Sequence, residues 1–128
     1  MHDYDEQYSL GRHFHTALAA ADWDALRALV HDDATWVLPG DNTISGTAEG
    51  GDAVIDRAKK IAGYGLTFEL QHILVSRENM ALSLHNTARR GDTVLDEYLA
   101  TVCFLRDGKV ARIETYLSDV QAMNAFFV

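Results

Sequence analysis

The second half of the chain constrains the fold most. Leu66 to Ser76, Met80 to Arg89, Thr93 to Arg106 and Lys109 to Ser118 are rich in β-branched and aromatic residues and read as four long strands. Three tight connections separate them: Arg77-Glu78-Asn79, Arg89-Arg90-Gly91-Asp92 and Asp107-Gly108. Asp-Gly is a favoured two-residue hairpin turn. Turns this short force neighbouring strands to run antiparallel, so the sequence predicts a meander.

The first half is helical. Leu10, Phe14, Ala17, Leu18 and Ala21 recur at three- and four-residue spacing, which predicts a helix over 5–20. Asp22 is a good N-cap for a second helix with Leu26, Leu29 and Val30 on its buried side, broken by Asp32-Asp33. Thr35 to Leu38 reads as a short strand, Pro39-Gly40-Asp41-Asn42 as a turn, and Thr43 to Ser45 as a second short strand. A third helix begins at Gly50-Gly51-Asp52 and buries Val54, Ile55, Ala58, Ile61 and Ala62, and residues 120–128 read as a short terminal helix or tail. Helices first and a meander last give an α+β fold: a cone-shaped, curved antiparallel sheet with about three N-terminal helices packed on its concave face. With 128 residues and no repeat or linker, 1–128 is expected to be one domain.

Composition narrows the function. Lys+Arg number 11 against 19 Asp+Glu, a formal charge of −8, and there is no basic patch, so nucleic acid and anionic membranes are not expected partners. No apolar run approaches the roughly 20 residues that span a bilayer. Met1 to Glu6 is acidic and polar, unlike a signal peptide, and a cytoplasmic location is expected. Neither glycine-rich nucleotide fingerprint occurs, and no cofactor is implied. The single cysteine, Cys103, lies in an apolar run and reads as a packed strand residue.

Several motifs carry a resemblance. They are Asp22-Trp23-Asp24-Ala25-Leu26, Asp32-Asp33-Ala34-Thr35-Trp36, Pro39-Gly40, Ser45-Gly46-Thr47 with Gly50 or Gly51, Asp107-Gly108-Lys109-Val110 and Ile113-Glu114-Thr115-Tyr116. In this order the chain resembles the nuclear-transport-factor-2-like superfamily, which includes ketosteroid isomerases and SnoaL-like polyketide cyclases. The resemblance implies a conical small-molecule pocket. It also implies that the isomerase mechanism is lost: Phe14 stands at the tyrosine position, Leu38 at the base position and Val102 at the second aspartate, and none of them can move a proton. The cyclases' aspartate near the end of the last strand falls on Asp119 or on Leu117.

Turn arithmetic then suggests a site. Pairing Arg106 with Lys109, Arg89 with Asp92 and Arg77 with Met80 would set His72, His85, Asp96 and Asp119 in one row across four strands. The position of Val102 in the family assigns that row to the inner face, with Ser83, Tyr98 and Thr115, while Trp36, Leu38 and Phe14 add to the ligand wall. His85 beside Asp96 would orient the imidazole and fix its tautomer, giving an acid–base dyad suited to isomerase, cyclase or hydrolase chemistry on a small apolar or polyketide-like substrate. The alternatives are a structural hydrogen-bonded pair, a non-catalytic ligand-binding or assembly module, and a metal held by His72, His85 and Asp96; Asp119 could instead cap the last helix. The same parity puts Ile73, Val75, Leu82, Leu84, Leu99, Thr101, Cys103 and Tyr116 on the outer face, an apolar patch that predicts a homodimer. Phe126 and Phe127 are expected to fold back over the rim of the cone or its neighbouring helices.

Overall fold

The computed structural model describes residues 4–128; the first three residues of the acidic start lie outside it. The chain runs α1 (Asp5–Ala19), α2 (Trp23–Ala28), β1 (Val30–Leu38), β2 (Gly46–Glu49), α3 (Gly51–Ala62), β3 (Thr67–Ser76), β4 (Asn79–Arg90), β5 (Thr93–Arg106), β6 (Lys109–Leu117) and α4 (Val120–Phe126). The six strands form one curved, unclosed sheet in the order β2-β1-β6-β5-β4-β3. The meander from β3 to β6 is antiparallel, as the short turns require. β1 joins it in parallel beside β6, so the sheet is mixed.

The N-terminal third differs in detail from its sequence reading. Asp22 does cap α2, accepting the Ala25 N–H at 3.2 Å. Leu29 and Val30 do not extend this helix, because the Val110 N–H donates to the Leu29 carbonyl at 2.9 Å and draws the chain into the sheet. Asp32 and Asp33 therefore lie within β1, paired with Arg27 at 2.6 Å and Arg106 at 2.7 Å. Thr43 to Ser45 is a turn, not a strand. The Asn42 side chain accepts the Ile44 N–H, and the Thr43 N–H goes to the Phe127 carbonyl at 3.1 Å, so no edge is left to pair.

The core fills the concave side. Met80, Leu82 and Leu84 of β4, Leu95 and Cys103 of β5, and Val110 and Ile113 of β6 are all buried there. α1 packs on β3 and β4, α3 on β1, and α4 on β5. At their expected strength, Phe126 and Phe127 are 1% and 0% exposed, and burial of two such side chains contributes roughly 2 kcal/mol each. The last residues are tied down further by Arg90, which donates to the carbonyls of Phe126 and Val128, and by the Tyr64 hydroxyl, which donates to Val128.

Candidate functional site

A cavity lies between the helices and the concave face. Phe14, Leu18, Val54, Ile55 and Ala58 line it from the helices, Trp36 and Leu38 from β1, Leu84, Leu99, Ile113 and Thr115 from the sheet, and Phe127 from the chain end. The volume open to the centre of a water molecule is about 50 Å³, enough for roughly four waters at ~10–15 Å³ each, so the helices and the terminal phenylalanines already close most of the cone. Phe14, Trp36, Leu38 and Thr115, four of the residues expected at a ligand wall, meet here.

Few polar groups reach this space. The Trp36 indole N–H donates to Thr115 Oγ1 at 2.9 Å. Arg57 steadies the same tryptophan, donating to its carbonyl at 2.9 Å with the guanidinium 5.3 Å above the ring. Burial pulls the Arg57 guanidinium below the ordinary arginine value. Thr101 lies across from Thr115, and Asn86 lines the cavity from β4. Directly opposite Asn86 stands Glu97, 0% exposed. Glu97 Oε1 accepts the Ser118 hydroxyl at 2.8 Å and the Asp119 N–H at 3.0 Å. Its Oε2 and Asn86 Oδ1 are buried and have no hydrogen-bond partner among the described residues. Leaving such a group unpaired costs about 1–3 kcal/mol.

The remaining expected residues lie on the other side of the sheet. β5 carries Asp96, Tyr98 and Val102 outward, and β4 carries Ser83 and His85 outward, against the inner face assigned to them from sequence. The physical reason is a one-residue bulge. The Asp107-Gly108 turn does pair Arg106 with Lys109, but Ala111 is an extra residue in β6. Beyond it inward Ile113 faces Cys103, not Val102, so Cys103 is the inward residue of β5, and the family position aligned with Val102, which had assigned the face, is one residue out. The same correction moves Ile73, Val75, Leu82, Leu84, Leu99, Thr101 and Cys103 from the expected outer patch to the interior; Tyr116, 57% exposed, stays outside. Cys103 is fully buried, which pushes its thiol up to about 12.

The other two turns sit one residue from their expected places, at Gly91-Asp92 and Arg77-Glu78, which shifts each strand register by two. A shift of two keeps the face, so His85 and Asp96 still meet. His85 faces Tyr98 in register, its Nε2 is hydrogen-bonded to Asp96 Oδ1 diagonally, and its ring stacks on Tyr98 with centroids 4.2 Å apart. The pair borders a shallow outer groove with Thr67, Thr87 and Val94, and the Asp96 side chain is 67% exposed. The shifted Arg77-Glu78 turn sets exposed His72 opposite Ser83, not His85, so the four-residue row is not formed; a second bulge, at Gln71, displaces only the residues before it. Asp119 caps α4, accepting the Ala122 N–H at 3.0 Å. Among the described residues no three His, Cys, Asp or Glu side chains converge on a common point for a metal.

Asn86 and Glu97 escaped the sequence reading because they belong to the face judged to be outside. A signal was present: in β4 the apolar set Met80, Leu82, Leu84 alternates with Ala81, Ser83, His85, and the apolar set marks the interior.

Comparison with known proteins gives a consistent answer. Residues 11–113 match the family model described as a SnoaL-like domain. No curated protein matches. Among solved structures, Bal32a from a soil-derived mobile gene cassette superposes with a TM-score of 0.92 at 25% identity, over 97% of this chain and 98% of that one. An NTF2-like protein from Burkholderia xenovorans has a TM-score of 0.82 at 20% identity, over 96% of each chain. TerC, co-crystallised with polyporic acid, has a TM-score of 0.82 at 15% identity, over 96% of this chain and 98% of that one.

Proposed function

The chain belongs to the family of SnoaL-like domains, and from that premise we propose that it binds a small, largely apolar molecule inside the cone. One observation carries this reading: a cavity walled by Phe14, Trp36, Leu84 and Ile113, with few polar groups converging on it, has the composition of a small-ligand site. TerC shares the fold and was co-crystallised with polyporic acid, which supports a small-molecule occupant. Phe14 and Leu38 offer no proton, so an isomerase mechanism of the ketosteroid kind is not part of the proposal. Toluene tests the reading. In excess it should raise the melting temperature of the wild type, since a ligand that binds only the folded state stabilises it by mass action. It should not do so for Ala58→Phe, which fills the cavity; no shift in the wild type would remove the pocket reading.

A second reading is favoured by the hydrogen bond between His85 and Asp96. This dyad could serve acid–base chemistry of the isomerase, cyclase or hydrolase type on a substrate lying in the outer groove against Tyr98. Loss of turnover in His85→Ala with toluene binding intact would select it. A homodimer through the outer sheet face accompanies either reading, supported by Leu74, Tyr98 and Tyr116, each more than half exposed. Light scattering of Tyr116→Lys should then report a monomer.

A further inference from the structure

Two buried side-chain oxygens lack partners among the described residues, and they belong to neighbours. Asn86 and Glu97 face each other across β4 and β5, with Cβ atoms roughly 5 Å apart. Asn86 is 7% exposed and lines the cavity; Glu97, 0% exposed, does not line it but stands opposite Asn86 on β5. Buried acceptors are nearly always hydrogen-bonded, so an orphan on the cavity wall, backed by a second on the neighbouring strand, is a demand for a donor. Ser118 and Asp119 hold the Oε1 of Glu97 in place.

We propose that Asn86, backed by Glu97 on the neighbouring strand, forms a recognition site for a hydroxyl group, and that the ligand is a compact apolar alcohol or phenol whose O–H is directed at the Asn86 side chain. The proposal rests on the pocket reading above and adds its chemistry. The Asn86 oxygen that faces the cavity is an acceptor, so a ligand ether oxygen gives it nothing. An asparagine amide can also donate, so a hydroxyl can give its proton to one oxygen while accepting from the amide. A cationic amine would supply donors too, but it must shed its water against Phe14, Phe68, Leu84 and Ile113, which return no compensation.

Calorimetric titration with toluene, 4-methylphenol, 4-methylanisole and 4-methylbenzylamine tests this. The wild type should bind 4-methylphenol about tenfold more tightly than 4-methylanisole, the ratio expected of one hydrogen bond to a buried acceptor. Asn86→Leu should reduce that ratio below about threefold and leave toluene binding in place. Glu97→Gln, which keeps an oxygen for Ser118 and Asp119, should reduce it as well. If no probe binds, toluene included, the pocket reading falls and this one with it. Toluene binding without a preference for the phenol overturns the hydroxyl site alone, as does a preference that survives in both variants, or tighter binding of the amine.

Discussion

The two faces of the sheet use the same strands one residue out of step, and they put their polar groups to opposite uses. On the concave face polar side chains are few and buried, and two of them, Asn86 and Glu97, are incompletely satisfied. On the convex face they are many and satisfied: Asp96 binds His85, and Glu114 accepts from both Arg112 at 2.8 Å and the Tyr116 hydroxyl at 2.9 Å. Those contacts hold the Glu114 carboxyl below its usual range and the Tyr116 phenol above its own. The contrast teaches that a paired, solvated ion pair is ordinary, whereas an unpaired buried acceptor calls for an explanation.

The comparison can be tested by removing parts of each face. Deleting residues 126–128 opens the concave side and removes both buried phenylalanines. It should lower the melting temperature by more than about 10 °C, since each Phe→Ala change alone costs about 3–5 kcal/mol. Thermal unfolding by circular dichroism checks this, and an unchanged curve would mean that the chain end is not part of the core. Next in size, Leu82→Ala on the inner face of β4 should cost about 2–5 kcal/mol in urea unfolding. Val102→Ala on the outer face of β5 should cost less than about 1 kcal/mol. Equal costs would contradict the face assignment.

Cys103 gives a pH-dependent version of the same contrast. Its folded thiol is pushed up to about 12, against roughly 8.5 in the unfolded chain. A folded value above the unfolded one means that the stabilisation is fully present below the unfolded value and is lost as pH rises from there toward the folded one. Stability should therefore fall by about 1.4 kcal/mol per pH unit across pH 9–11 through this group alone. Cys103→Ala should show a correspondingly shallower alkaline decline in urea unfolding; identical slopes would place the thiol in water. The smallest effect belongs to the convex face, where Asp96→Asn should change stability by less than about 1 kcal/mol, because its side chain is 67% exposed.

How much of this was legible varied with the physics involved. The meander was readable because Asp107-Gly108 and Gly91 carry local turn chemistry. The His85–Asp96 contact survived because the turn, one residue from its expected place at Gly91-Asp92, shifts the register by two, and a strand repeats every two residues. The face did not survive, because nothing in Val110-Ala111-Arg112 announces an extra residue; a bulge is settled by how the whole sheet curves over its helices. β1 was half seen for a related reason. What makes a strand of Val30 to Ala34 is a partner, β6, that lies far along the chain, and no local window contains it.

That distant partner also orders events in time. Thr35 pairs with Arg112, so almost the whole polypeptide must exist before the N-terminal strand can dock on the meander. Closing so long a loop is slow compared with zipping up adjacent hairpins, and the meander is expected to form first. During synthesis β1 emerges early and has only β2 for company, with its other edge unpaired until residue 117 has left the ribosome. A nascent chain stalled before β6 therefore displays an open strand edge, and such edges recruit other chains.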